Sequence, residues 1–180
     1  NYLIDTGLGA GSIEPIMEYI DNKIPTIVIN THYHWDHIWG NDVFKDCIII
    51  SHRLCRQIVE SEWDDMLSKN KRYVYGDVKM CLPNLVFENE LCFPQDGIRI
   101  IYTPGHTIDS ISVIDEQDRV ANLGDNVGDT AQELVPSLDC KKEQYIDTLK
   151  KLKMFKFDTC ISGHNIVLDS TVIDEILHLV

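Results

Sequence analysis

The segment Thr31-His32-Tyr33-His34-Trp35-Asp36-His37 sets four potential metal ligands within six residues, directly behind the apolar run Thr26–Asn30. In extended backbone, residues two apart point the same way, so His32 and His34 can reach one metal together. A turn at Trp35 then sends Asp36 and His37 toward a point a few ångströms away. This spacing predicts two adjacent metals. A lone strand-end histidine is usually a hydrogen-bonded surface or core residue, but three imidazoles and a carboxylate this close would each need separate polar partners.

The same grammar of apolar strand, small residue and ligand recurs in Ile100-Ile101-Tyr102-Thr103-Pro104-Gly105-His106, Val120-Ala121-Asn122-Leu123-Gly124-Asp125 and Cys160-Ile161-Ser162-Gly163-His164. In open α/β sheets, ligands gather beyond the strand ends, so residues remote in sequence can converge there. Five of the seven histidines belong to this set. His52, at a helix start, and His178, near the end of the chain, do not follow the pattern and read as structural or solvated.

Val- and Ile-rich runs at Thr26–Asn30, Cys47–Ile50, Ile98–Thr103, Ile111–Ile114, Val120–Leu123 and Thr159–Ser162 predict strands of a buried sheet. Helical patterns alternate with them. Ser12 is expected to cap a helix from Ile13 to Asp21, with Pro15 in its first turn and Ile13, Ile16, Met17 and Ile20 on one face. Further helices are expected over Ser51–Glu62, Lys141–Met154 and Val172–Val180. The mixture points to a layered α/β (α+β) domain spanning residues 1–180. The stretch Trp63–Pro94 has weak periodicity, and its aromatic and Met residues fit either a lid over a site or ordinary helical packing with a hairpin.

A formal net charge of −13 repels polyanions, and the lysines at 150, 151, 153 and 156 read as a solvated helix face, so nucleic acid is not an expected partner. No apolar run approaches the roughly 18 residues of a membrane span, so no membrane partner is expected either. Six cysteines without a CxxC pair or framework spacing fit reduced thiols in a cytoplasmic protein. Cys47 and Cys160 lie in apolar runs and read as small buried hydrophobes.

The block His32-x-His34-x-Asp36-His37, followed by His106, Asp125 and His164, resembles the signature of the metallo-β-lactamase superfamily. The resemblance covers nearly the whole chain, from Leu3-Ile4-Asp5-Thr6-Gly7 to Ser162-Gly163-His164 before a last helix. It implies a four-layer αβ/βα sandwich, with one or two further strands ahead of Asn1. It also implies that His32, His34 and His106 hold a first metal and that Asp36, His37 and His164 hold a second. Asp125 would bridge the two, and Asp5 would either orient a ligand or cap its own turn.

The resemblance is to glyoxalase II-like thioesterases and lactonases more than to the best-known β-lactamase class, which has a Cys in place of Asp125 and no His at position 37. The single short helix after His164 weakens the case for glutathione thioesters. The chemistry implied is hydrolysis of an ester, thioester, lactone or lactam of a small neutral or mildly anionic molecule. Two divalent ions about 3.5–4 Å apart would activate water, with Asp36 relaying the proton. Zinc is the first expectation, with iron or manganese as alternatives that the donor set also admits. Tyr33, Trp35, Asn126 and Tyr145 are weighed as wall or oxyanion contributors and kept out of the site. Two other readings stand beside the hydrolase: a mononuclear iron enzyme resembling persulfide dioxygenases, and a scaffold that binds metal without chemistry.

Overall fold

The computed structural model describes residues 1–164 and 166–180, which form two compact units, 1–87 and 88–180. Among the described residues, no helix is long and apolar enough to cross a membrane.

The first unit is built on four parallel strands in sequential order: β1 (Tyr2–Ile4), β2 (Ile27–Ile29), β3 (Ile48–His52) and β4 (Leu85–Phe87). Val28, Ile29, Ile49 and Ile50 are wholly buried, as parallel strands covered on both faces require. The crossovers carry α1 (Ala10–Ile13), α2 (Trp35–Ile38) and α3 (Arg53–Asn70).

The first expected helix is corrected: it begins at Ala10 and gives way to a single 3-10 turn at Glu14–Ile16. Ser12 lies inside it, its hydroxyl accepting from the Leu8 N–H at 3.0 Å. Pro15 has no N–H to continue the ladder. Ile16 and Ile20 still pack near Ile13, whereas Met17 is exposed.

Strand β3 runs two residues further than Ile50, so α3 starts at Arg53 and is capped by His52, whose Nδ1 accepts from the Leu54 N–H at 3.3 Å. That helix extends to Asn70 and carries Cys55, Val59, Trp63 and Met66 as one buried stripe against Ile38 and Trp39. Trp63 and Met66 are therefore core, not a lid.

The second unit holds one six-stranded sheet formed by β5 (Glu90–Phe93), β6 (Ile98–Tyr102), β7 (Ile111–Asp115), β8 (Val120–Asn122), β9 (Thr159–Ile161) and β10 (Val167–Asp169), with spatial order β10-β9-β8-β7-β6-β5. Every pairing is antiparallel except β8 with β9, whose connection contains α4 (Lys142–Leu152). Strands β6, β8 and β9 therefore run in the same direction. On α4, Tyr145, Leu149 and Leu152 recur at helical spacing and are wholly buried, and they pack with Ile114, Ala121, Cys160 and the apolar face of α5 (Val172–Leu179). Lys151 is not solvated as expected: its ammonium donates to the Tyr102 carbonyl at 2.8 Å, and partial burial lowers its pKa.

Replacing Leu149 with Ala opens a cavity in this core. Urea unfolding should register a loss of about 3 kcal/mol, as large-to-small changes at sealed positions do.

Candidate functional site

In the first unit, strand register places the ligands. β1 and β2 run side by side with Ile4 opposite Ile29, and the Asp5 N–H donates to the Ile29 carbonyl at 2.9 Å, so Asp5 meets the chain as it leaves β2. Its Oδ1 accepts from the Thr31 N–H at 2.7 Å, and its Oδ2 accepts from the Thr31 hydroxyl and from His37 Nδ1, both at 2.7 Å. These bonds are what the orienting role expected for Asp5 requires. The bonds run to the ligand segment.

Asp5 sits at a φ of 60°, a left-handed conformation that costs an L residue about 1–2 kcal/mol. Three bonds to one carboxylate outweigh that, each contributing about 1.5–3 kcal/mol.

These bonds fix histidine tautomers. A carboxylate only accepts, so His37 carries its proton on Nδ1 and presents the Nε2 lone pair. The Thr31 hydroxyl spends its proton on Asp5, so its oxygen accepts from His32 Nδ1 at 3.1 Å, and His32 likewise presents Nε2. The His32 and His34 rings are 4.7 Å apart, and the His32 and His37 rings 4.1 Å. The ligand atoms of His32 and His34 lie within 4.8 Å of each other, as do those of Asp36 and His37. His34 is the extended residue before α2, which supplies the expected turn.

In the second unit, the shared direction of β6, β8 and β9 brings the segments ending in His106, Asp125 and His164 to one edge of the sheet. The Gly163 N–H donates to the Gly124 carbonyl at 2.9 Å, and His164 Nε2 stands 3.3 Å from Asp125 Oδ2. His106 Nε2 lies 3.7 Å from the same oxygen. His106 Nδ1 donates to the Ser137 carbonyl at 2.8 Å, so this ring too presents the Nε2 lone pair.

Helix α4 holds both loops. Tyr145 donates to the Asn126 carbonyl at 2.6 Å, and Thr148 to the Pro104 carbonyl at 2.6 Å. Asn126, wholly buried, accepts from the His106 N–H at 2.9 Å and donates to the Thr103 carbonyl at 2.7 Å. Gly105 is required there, because a Cβ would come within 2.5 Å of Asn126 Oδ1 and 2.6 Å of the Tyr145 ring. Asn126 and Tyr145 thus act as positioning residues. Burial pushes the Tyr145 phenol well above its ordinary range, which keeps it a donor.

Tyr33 and Trp35 pack against the core of the first unit, with Trp35 stacked on Tyr73 at 4.9 Å. His52 is buried as a cap, and His178 is bonded to the Asp174 carbonyl, so both are structural. Within each unit, imidazoles whose Nδ1 is engaged, with a carboxylate beside them, offer donors of the kind a divalent cation takes.

The family model for the metallo-beta-lactamase superfamily matches residues 1–164. The chain belongs to this superfamily. A protein of Methanocaldococcus jannaschii named a probable metallo-hydrolase is 28% identical over 139 residues, covering 77% of this chain and 56% of that protein. A second protein of the same organism and description is 30% identical over 138 residues, covering 71% and 62%. The chain thus spans little more than half the length of the curated relatives it matches.

Among solved structures, a metallo-beta-lactamase superfamily protein of Sulfolobus tokodaii has a TM-score of 0.73 at 22% identity, covering 99% of this chain and 75% of that one. A metallo-beta-lactamase from Pontibacter korlensis has a TM-score of 0.74 at 21% identity, covering 99% and 80%. Both likenesses concern the fold. The mixed α/β architecture with two sheets is that of the superfamily.

Asn tolerates a left-handed backbone, so Asp5→Asn keeps the turn and removes the charge that His37 and Thr31 answer to. In a chelator-competition titration with Zn2+, that variant should bind about 10–100-fold more weakly than the parent.

Proposed function

We propose that this chain is a metal-dependent hydrolase in which the two units serve as halves of one functional domain. His32, His34 and His106 would hold one divalent ion and Asp36, His37 and His164 a second, with Asp125 shared between them. The observation that carries this reading is the set of hydrogen bonds that engage Nδ1 of three of the expected ligands. Asp5, Thr31 and the Ser137 carbonyl each accept a hydrogen bond at an imidazole Nδ1–H, so that His37, His32 and His106, when neutral, offer Nε2 to a metal. Superfamily membership and the relatives named probable metallo-hydrolases support the same conclusion.

Divalent ions bound there, zinc by preference, supply Lewis acidity that polarises a carbonyl oxygen and acidifies water. The chain's own contribution is orientation and proton handling. Asp36, half-buried beside His37 with 3.9 Å between Oδ2 and Nε2, would accept a proton from the attacking water and return it to the leaving group.

A protein nucleophile is not needed. Among the described residues no cysteine forms a disulfide; Cys160 is wholly buried and its thiol is pushed up to about 12, while burial also raises Cys81, Cys92 and Cys140. Esters, thioesters, lactones and lactams of small molecules are the substrate classes. The net charge of −13 disfavours nucleic acid.

The test is turnover of a panel of thioesters, lactones and β-lactams by metal-loaded protein, repeated with Asp125→Ala. The parent should hydrolyse at least one class, and the variant should lose about a hundredfold or more in kcat/KM. A variant as fast as the parent would refute the shared-ligand role of Asp125.

A further inference from the structure

A cavity of about 500 Å³ opens in the second unit, with His106 and Asp125 in its wall. Its size falls in the ordinary range for small-molecule pockets, about 300–1,000 Å³. The opposite wall is the segment after Asn126, which turns back on itself. The Gly128 N–H donates to the Leu134 carbonyl at 2.9 Å, and the Glu133 N–H to the Thr130 carbonyl at 3.1 Å. The two limbs meet so closely that a Cβ on Gly128 would come within 1.8 Å of the Glu133 carbonyl oxygen. Leu134 is sealed into the core and Val135 packs beside it, so this wall is anchored.

The fixed charge of the lining is one-sided. Val135, Pro136 and Leu179 offer apolar surface backed by the buried Val127 and Leu134, Gln132 and Ser137 add neutral polar groups, and Asp129 and Glu133 add exposed carboxylates. Among the described residues that line it there is no lysine or arginine. Beyond any bound metal, a carboxylate at the far end of a group entering here would meet the like charges of Asp129 and Glu133 and find no lysine or arginine in the lining to answer it. An apolar group fits the wall, and one ending in a positive charge is attracted by these carboxylates.

We propose that this cavity takes the acyl end of the substrate, and that the substrate class is esters or thioesters whose acyl group is apolar and carries no negative charge, with a cationic terminus preferred. The assignment rests on the reading of His106 and Asp125 as metal ligands. It narrows the class expected from sequence, which admitted mildly anionic molecules.

The experiment uses three thioesters with a common thiol and acyl chains that differ only at the terminus: tert-butyl, trimethylammonium or carboxylate. With metal-loaded protein, the carboxylate should have a kcat/KM about tenfold or more below that of tert-butyl, and trimethylammonium should at least equal tert-butyl. The double variant Asp129→Asn, Glu133→Gln should narrow the ratio of trimethylammonium to carboxylate severalfold. A carboxylate thioester cleaved as well as the other two would overturn the proposal, as would a ratio unmoved in the double variant. Calorimetric binding of the three matching thioethers separates this inference from the hydrolase reading. The same order of affinities without cleavage of any thioester upholds the cavity and refutes thioester hydrolysis. Carboxylate binding as tight as the others refutes the cavity whatever the turnover.

Discussion

Strand direction is the constraint on which the candidate site depends. Each expected ligand segment follows the C-terminal end of a strand: His32 to His37 follow β2, and His106, Asp125 and His164 follow β6, β8 and β9. In the first unit, parallel pairing of β1 with β2 delivers Asp5 to Thr31. In the second, two antiparallel pairings and one parallel pairing leave β6, β8 and β9 pointing the same way, so their exits share an edge. A one-residue slip in any of these registers would turn alternate side chains to the opposite face and disperse the set.

What strand direction gathers, local polar networks then orient. The Asp5 carboxylate collects a backbone N–H, a hydroxyl and an imidazole from the ligand segment, and this is enough to hold a non-glycine residue at positive φ. Helix α4 does the corresponding work in the second unit, with Tyr145 and Thr148 satisfying carbonyls of the two ligand loops from a face whose other residues are core. Stability and function therefore share side chains. A substitution at Tyr145 or Asn126 leaves buried polar groups unanswered and also shifts the loop that carries His106.

Much of this was legible in the sequence because it is local and periodic. The cluster of four ligands, the small residue before each later one and the apolar runs are patterns within about ten residues. They located six of the strands and all seven expected ligands at strand exits. What escaped was set by distant partners or by single bonds. Strands β4, β5 and β10 are three or four residues long and partly exposed, and only their neighbours in the sheet define them. The early end of the first helix depends on Pro15 and on the Ser12 hydroxyl turning back to Leu8. The far half of α3 was hidden because its buried residues lie among a run of acidic and polar ones. The positioning roles of Asn126 and Tyr145 span 19 or more residues, so no local pattern announces them.

The proposed function needs ligands from both units to act together on two ions. Metal content measured by elemental mass spectrometry, on protein purified without added metal, tests it most directly. Two zinc or manganese ions per chain are expected. One iron per chain, or no stoichiometric divalent metal, would contradict it.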